Sequence, residues 1–177
     1  MAVLIEAISV VIRLVTIESR YPGGWAAFVA DAPNQTLCAD ENLARFGFMQ
    51  PSDMERFVAH LKQYGIEYIK DGIAQDLVVV DQQRGPLASC PWIEFGHVSI
   101  GSAESHPVAA ARISGDTLNK VITPDGWDFN GSLSQTFGFV PAGHENKSLR
   151  FLRHEDGIDV YFNEMTGKEV YVGRTRP

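Results

Sequence analysis

The apolar run at residues 77–80, LVVV, is the feature that most limits the folds open to this chain. Three β-branched residues in a row favour an extended strand, and this strand is apolar on both faces. Neither face tolerates water, so the strand belongs near the centre of a sheet with other elements packed against it. Residues 8–14 add a second strand, because alternate positions along one face are all apolar: Ile8, Val10, Ile12 and Leu14.

Two helices are expected in the first half of the chain. Residues 25–31 have apolar side chains at helical spacing and end before Pro33. Residues 52–64 carry a longer apolar stripe, formed by Met54, Phe57, Val58, Leu61 and Tyr64. Ser52 and Glu55 match the S-x-x-E capping box, which predicts that the second helix begins at Ser52.

The other patterns favour strands, at residues 36–39, 43–49, 66–69, 75–81, 92–100, 108–113, 132–140, 157–162 and 168–173. We therefore expect an α+β fold, with a mostly antiparallel sheet and two main helices in the N-terminal half. The strand-rich C-terminal half ends in a β-hairpin. The strands at 75–81 and 92–100 are expected to share one sheet, and the back half either extends that sheet or forms a second layer.

Length and composition indicate a single domain with an apolar core, since the chain has 177 residues, 45% of them hydrophobic and 21% charged. We divide it into an α/β part (1–81), a connecting loop (82–91) with two prolines and a glycine, and a strand-rich part (92–177). The formal net charge of −7 at pH 7 argues against nucleic acid and membrane surfaces as partners, because both are anionic.

The two cysteines, Cys38 and Cys90, do not make a disulfide framework in a chain of this length. The apolar segment 2–15 lacks the basic start and cleavage pattern of a secretory signal. Together these features predict a soluble, cytoplasmic protein.

Motif searches give no catalytic or cofactor signature. No two of the five histidines have metal-ligand spacing, and no nucleotide-binding glycine loop is present. Residues 125–131 resemble a calcium loop, but the register places Gly126 and Phe137 where the key carboxylates belong. We interpret this segment as a turn anchored by Trp127 and Phe129, and we predict no metal and no cofactor.

The candidate ligand site lies around residues 81–97. A polar run, DQQRGP, follows the buried strand 77–80 and could place side chains at a pocket mouth. The candidate ligand-binding residues are Asp81, Arg84, Trp92, Glu94 and His97. The alternative is a solvent-facing loop followed by an edge strand, because loops are polar by default.

Residues 52–81 resemble the helix-then-strands segment of glyoxalase/dioxygenase superfamily modules, in "SDMERFVAHLKQYGIEYI" and the later "DQQRG". The resemblance covers about thirty residues. The metal-binding His and Glu of that family have no counterpart here, and the back half does not repeat the module. We therefore assign the chain to no family on this basis.

These patterns favour a non-enzymatic binding protein whose partner is another protein or a small molecule. The alternative is a small hydrolase or lyase, in which Glu94 and His97 act as acid and base and Arg84 holds an anionic substrate. A homo-oligomer is compatible with both hypotheses.

Overall fold

The structure is a computed structural model and describes residues 1–101, 106–136, 149–155, 158–163 and 168–173. The fold is α+β, as expected. Its helices are α1 (Leu14–Arg20), α2 (Gly24–Ala30), α3 (Pro51–Lys62) and α4 (Leu133–Thr136). Its strands are β1 (Ala2–Ile5), β2 (Ile8–Arg13), β3 (Cys38–Ala39), β4 (Leu43–Phe48), β5 (Ile69–Lys70), β6 (Ile73–Ala74), β7 (Leu77–Asp81), β8 (Gly85–Pro86), β9 (Ile93–Ile100), β10 (His106–Ile113), β11 (Val121–Ile122), β12 (Leu149–Glu155), β13 (Ile158–Asn163) and β14 (Lys168–Gly173).

A five-stranded antiparallel sheet contains the apolar run. Its strand order is β3-β4-β2-β7-β8, so β7 pairs with β2 on one side and with the short β8 on the other. Every residue of β7 is buried. The expectation that the strand at 77–80 needs cover on both faces is confirmed.

A second, four-stranded sheet has the order β11-β1-β10-β9. Its pairs are antiparallel except for β1 and β11, which run parallel. The two sheets and the helices form three layers that share two apolar clusters. One cluster joins the helices to the first sheet and includes Val10, Ile17, Phe28, Phe46, Phe57, Leu61 and Val79. The other joins the two sheets and includes Val3, Ile5, Val11, Val78, Val80, Ile93 and Ala111.

The prediction that residues 75–81 and 92–100 share one sheet is wrong. The strand β7 belongs to the five-stranded sheet and β9 to the four-stranded sheet. The reason is that β7 is apolar on the face turned away from the helices, and a second sheet packed on that face buries it. Of the two arrangements expected for the back half, β9, β10 and β11 form a second layer together with the N-terminal strand β1. The strands β12, β13 and β14 form a separate three-stranded sheet.

Two predicted boundaries are also wrong, and α1 is a helix that the sequence patterns did not predict. Alternation predicts Leu14 in a strand, but this residue begins α1, where burial of Ile17 outweighs the preference of β-branched residues for strands. The capping box at Ser52 does not form, because Pro51 occupies the first turn and the helix starts earlier. Gln50 is the N-cap, and its side chain makes no capping hydrogen bond.

Most of the other elements agree with the predicted ones, but the strands predicted at 36–39 and 66–69 are reduced to Cys38–Ala39 in β3 and to Ile69 in β5. The helix at 25–31 is α2, the strands at 43–49 and 108–113 are β4 and β10, and β13 and β14 pair as the antiparallel final hairpin. Residues 133–136, expected in a strand, form α4 instead, and 137–140 lie outside the described residues. None of the helices in the described ranges is long and apolar enough to cross a membrane.

Gly85 and Gly72 provide a matched test of the contact between the two sheets. Both have a positive φ, but a Cβ at Gly85 would lie 2.9 Å from the Phe95 ring, whereas one at Gly72 would meet nothing within 4 Å. Gly72→Ala should lower the free energy of unfolding by about 1–2 kcal/mol, because a Cβ disfavours positive φ. Gly85→Ala should lower the free energy of unfolding by ~1–3 kcal/mol more than Gly72→Ala does, because its Cβ overlaps the Phe95 ring. Urea unfolding measures both losses, and equal losses would contradict a tight contact.

Candidate functional site

Asp81 and Arg84 form the turn between β7 and β8. The buried Asp81 carboxylate accepts hydrogen bonds at Oδ1 from the main-chain N–H groups of Gln83 (2.9 Å) and Arg84 (3.0 Å). The Arg84 guanidinium lies 3.5 Å from the other oxygen. The carboxylate thus stabilises the turn that it begins, in the usual manner of an Asp in a turn.

Trp92 packs at one end of the second cluster. Its indole Nε1 donates to the main-chain oxygen of Ala74 at 3.0 Å, and the Arg13 guanidinium lies 5.7 Å from the ring centre. Such cation–π contacts stabilise the packing of both side chains. Trp92 therefore joins β2, β6 and the start of β9.

Glu94 and His97 point to opposite faces of β9, because side chains alternate along a strand. Glu94 is exposed and forms an ion pair with Arg112 on β10, at 2.6 Å. His97 contacts the Phe95 ring, at a centroid distance of 5.4 Å, and burial lowers the pKa of its imidazole. The cavity beside His97, about 10 Å³, has room for no more than roughly one water molecule. Of the five predicted residues, Asp81 and Arg84 lie together at one turn, whereas Glu94 and His97 point to opposite faces of β9.

A larger cleft lies at the C-terminal end of β4. Its volume is about 430 Å³, within the range of roughly 300–1,000 Å³ common for small-molecule sites. Four segments line it: the connection between β1 and β2, the approach to β3, the end of β4, and the turn at residues 124–133. The lining side chains on which its chemistry depends are Glu6, Thr36, Arg45, Phe48, Met49, Asp125, Trp127 and Asp128.

Arg45 is a buried cation in the wall of this cleft. It lies on β4 between the two sheets and is only 2% exposed. Its Nε donates to Ser9 Oγ at 2.8 Å. Its Nη1 donates to the Thr36 main-chain oxygen at 3.3 Å, and its Nη2 to the Glu6 main-chain oxygen at 2.7 Å. All three acceptors are uncharged, and Arg45 forms no ion pair within the described part of the chain. Burial lowers the pKa of the guanidinium, partly offset by the nearby Cys38 and Glu6 side chains.

Gly47 makes room for the guanidinium. A Cβ at this position would lie 2.5 Å from Arg45 Nη2. The Gly47 backbone is held in place on both sides, since its N–H donates to Thr36 Oγ1 at 2.7 Å and its oxygen accepts from Asn34 Nδ2 at 2.7 Å. The glycine is needed here for close approach and not for an unusual φ.

Glu6 connects the wall of the cleft formed by residues 124–133 to the strands. Its carboxylate is buried and accepts at Oε1 from the Trp127 indole, at 2.7 Å. At Oε2 it accepts from the main-chain N–H and the hydroxyl of Ser134, at 2.6 and 3.0 Å. Trp127 therefore anchors the turn at 125–131 as predicted, and Phe129 does so by stacking on His106 at 4.0 Å.

The backbone next to Glu6 is strained. Ala7 has a φ of 51°, a left-handed conformation that costs a residue with a Cβ about 1–2 kcal/mol. Gln82 stabilises it from both sides, because the Ala7 N–H donates to Gln82 Oε1 at 2.7 Å and the Gln82 N–H donates to the Ala7 oxygen at 3.0 Å. Strain of this kind is concentrated at functional sites, and Ala7 lines the cleft.

Sequence reasoning missed Arg45 and Glu6 as site residues. The available signal was a single charge inside an apolar strand, Arg45 in LARFGF and Glu6 after AVLI. Charged residues are almost never fully buried unless they are partnered, so a charge inside an apolar strand indicates a candidate site residue. Among the residues that the structure describes, no three His, Cys, Asp or Glu side chains come together as a metal site requires.

Comparison with protein-family models gives no match, and comparisons with curated proteins and with solved structures give no significant match. The resemblance of residues 52–81 to glyoxalase/dioxygenase modules gains no support from them. The geometry of the cleft is therefore the basis for any statement about function.

Gly47→Ala should displace the Arg45 guanidinium. We expect a loss of about 1–3 kcal/mol in the free energy of unfolding, because the Cβ overlaps Nη2 in a closely packed site. Gly96→Ala is the matched control, since Gly96 also lies in a strand and a Cβ there would meet nothing within 4 Å. Denaturant unfolding of both variants checks the expectation. A loss in Gly96→Ala as large as in Gly47→Ala would contradict it.

Glu6→Gln should weaken the attachment of the 124–136 segment. A Gln side chain offers one oxygen where Glu6 uses two, so its amide N–H₂ must face a donor, at a cost of about 1–3 kcal/mol. Glu94→Gln, the same change in an exposed ion pair, should cost less than about 1 kcal/mol. Hydrogen exchange of the Ser134 amide should accelerate only in Glu6→Gln, and unchanged exchange there would overturn this account.

Proposed function

We propose that this chain is a non-enzymatic binding protein that holds a small molecule in the cleft beside Arg45, with a carboxylate of the ligand on the guanidinium. The observation that carries the proposal is a buried cation with uncharged hydrogen-bond acceptors in the wall of a ligand-sized cleft. A buried charge is stabilised by a partner of opposite sign, and a ligand carboxylate would supply one.

The hydrogen-bonding capacity of Arg45 supports this proposal. A guanidinium has five N–H groups, and three of them donate to oxygens of the described residues. The Cys38 thiol also lies near the guanidinium, but sulfur is a weak acceptor, so a carboxylate would compete well for the remaining two N–H groups. Arginine suits this task because its donors form a planar fork that matches two carboxylate oxygens.

The small-molecule proposal has more support than the enzyme alternative. A hydrolase or lyase using Glu94 and His97 would need both side chains on one substrate, and alternation along β9 directs them to opposite faces. The partner Arg112 already neutralises Glu94. Acid–base catalysis requires both groups within hydrogen-bonding reach of the reacting atoms.

We also propose that the protein works in the cytoplasm. Both cysteines are free thiols, Cys38 buried and Cys90 half-buried. Burial raises the pKa of each thiol, so both are protonated and unreactive at neutral pH. Such thiols persist in a reducing compartment.

The experiment is a comparison of 3-phenylpropanoate with its neutral amide, 3-phenylpropanamide, by calorimetry and by NMR of the Arg45 side chain. We expect the carboxylate to bind at least about tenfold more tightly, because a charge-assisted hydrogen bond contributes roughly 1.5–3 kcal/mol. Its binding should also shift the Arg45 Nε–H resonance.

Two variants test whether the carboxylate binds in the cleft or elsewhere on the protein. Gly47→Ala should weaken carboxylate binding, and Gly96→Ala should leave it unchanged, since only the first Cβ meets the guanidinium. Equal affinities for carboxylate and amide, or a carboxylate that binds without shifting the Arg45 resonance, would overturn the proposal. The NMR measurement on the unmodified protein stays decisive even if a variant folds poorly.

A further inference from the structure

The charge around the cleft limits which carboxylates fit it, an inference that rests on the proposed function. The cleft lining contains one guanidinium, from Arg45, and three carboxylates, from Glu6, Asp125 and Asp128. A simple anion would gain one attractive contact and meet a net negative surround. Electrostatic complementarity between ligand and site therefore calls for a positive group on the ligand as well.

The three carboxylates are not equivalent. Glu6 is buried, and both of its oxygens accept hydrogen bonds from Trp127 and Ser134. Asp125 and Asp128 are at the rim, on the turn that Trp127 anchors. Asp128 Oδ1 accepts from the Asn130 N–H at 2.8 Å, which orients the carboxylate on its turn. A cationic group of a ligand would therefore lie at the rim, away from Glu6.

We propose that the ligand is a small zwitterion, an α-amino acid with an apolar side chain. Its carboxylate binds Arg45 at the wall of the cleft, and its ammonium lies at the rim beside Asp125 and Asp128. The acidic rim alone would not define a site. The buried Arg45, which has no carboxylate of the described residues within ion-pair distance, is the independent observation in the same cleft that points to a ligand.

The apolar part of the lining indicates the kind of side chain. Phe48, Met49 and Trp127 are the large apolar side chains of the lining. Met49 is 42% exposed, so its side chain offers apolar surface that a bound molecule would cover. A ligand with an aliphatic or aromatic body would bury this surface, which a glycine-sized molecule would leave in water.

The test compares amino acids with the same molecules lacking the amino group. The pairs are glycine and acetate, leucine and 4-methylpentanoate, and phenylalanine and 3-phenylpropanoate, with phenethylamine as the probe that lacks a carboxylate. We expect leucine or phenylalanine to bind roughly three- to tenfold more tightly than its deaminated partner, a modest gain because the rim is exposed. Glycine should bind most weakly of the three amino acids.

The double variant Asp125→Asn/Asp128→Asn should remove that gain. The new amide oxygen at position 128 can still accept from the Asn130 N–H, so the turn is retained. In this variant the Kd of the amino acid should lie within about twofold of the Kd of its deaminated partner. The deaminated partner should bind as tightly as before or more tightly, because the variant removes two negative charges from the rim. Asp53→Asn/Glu55→Gln, which removes two exposed charges on α3, is the control and should leave the gain intact.

The outcomes distinguish the two proposals. If 3-phenylpropanoate binds at Arg45 but phenylalanine binds no more tightly, the zwitterion inference is overturned and the carboxylate site stands. The inference also fails if the gain survives in the Asp125→Asn/Asp128→Asn variant. If no carboxylate of the three pairs shifts the Arg45 resonance, both proposals fail.

Discussion

The structure depends on one requirement: the five-stranded sheet must be covered on both faces. Its strands β2 and β7 are buried throughout, apart from Arg13 at the end of β2. Fully burying a Val or Leu contributes about 1.5–3 kcal/mol, more than the roughly 0.5–1.5 kcal/mol net of a typical hydrogen bond. The helices α1 to α3 cover one face and the second sheet covers the other. The three-layer arrangement follows from this double burial.

Packing two sheets face to face removes water from the space between them, and this sets the conditions for Arg45. The guanidinium is buried in this space and also lines the cleft. Main-chain oxygens and a hydroxyl satisfy part of its hydrogen-bonding capacity without neutralising its charge. A site of this kind recognises negative charge more strongly than a surface arginine does, because the local dielectric is lower.

The cleft is held by contacts between distant parts of the chain. Glu6 follows the first strand and contacts Trp127 and Ser134, which lie 121 and 128 residues later. Gln82, after β7, holds the strained Ala7 and also donates to the Leu133 oxygen at 3.3 Å. The wall that carries the acidic rim is thus attached to Glu6, whose main-chain oxygen also accepts a hydrogen bond from Arg45. A ligand would meet a largely preformed site, which reduces the entropy lost on binding.

The sequence by itself determined the fold class, the places of α2 and α3, the burial of the strand at 77–80 and the final hairpin. Those features depend on local periodicity and turn residues, which act over a few positions. It did not determine the start of α3, where Pro51 prevailed over the Ser52 capping pattern, or the sheet to which β9 belongs. Only tertiary structure decided the candidate site, because the acceptors of Arg45 on Ser9 and Glu6 lie 36 and 39 residues away along the chain. Residue patterns in one sequence record which side chains are apolar, but they do not record which polar side chains meet when two sheets pack.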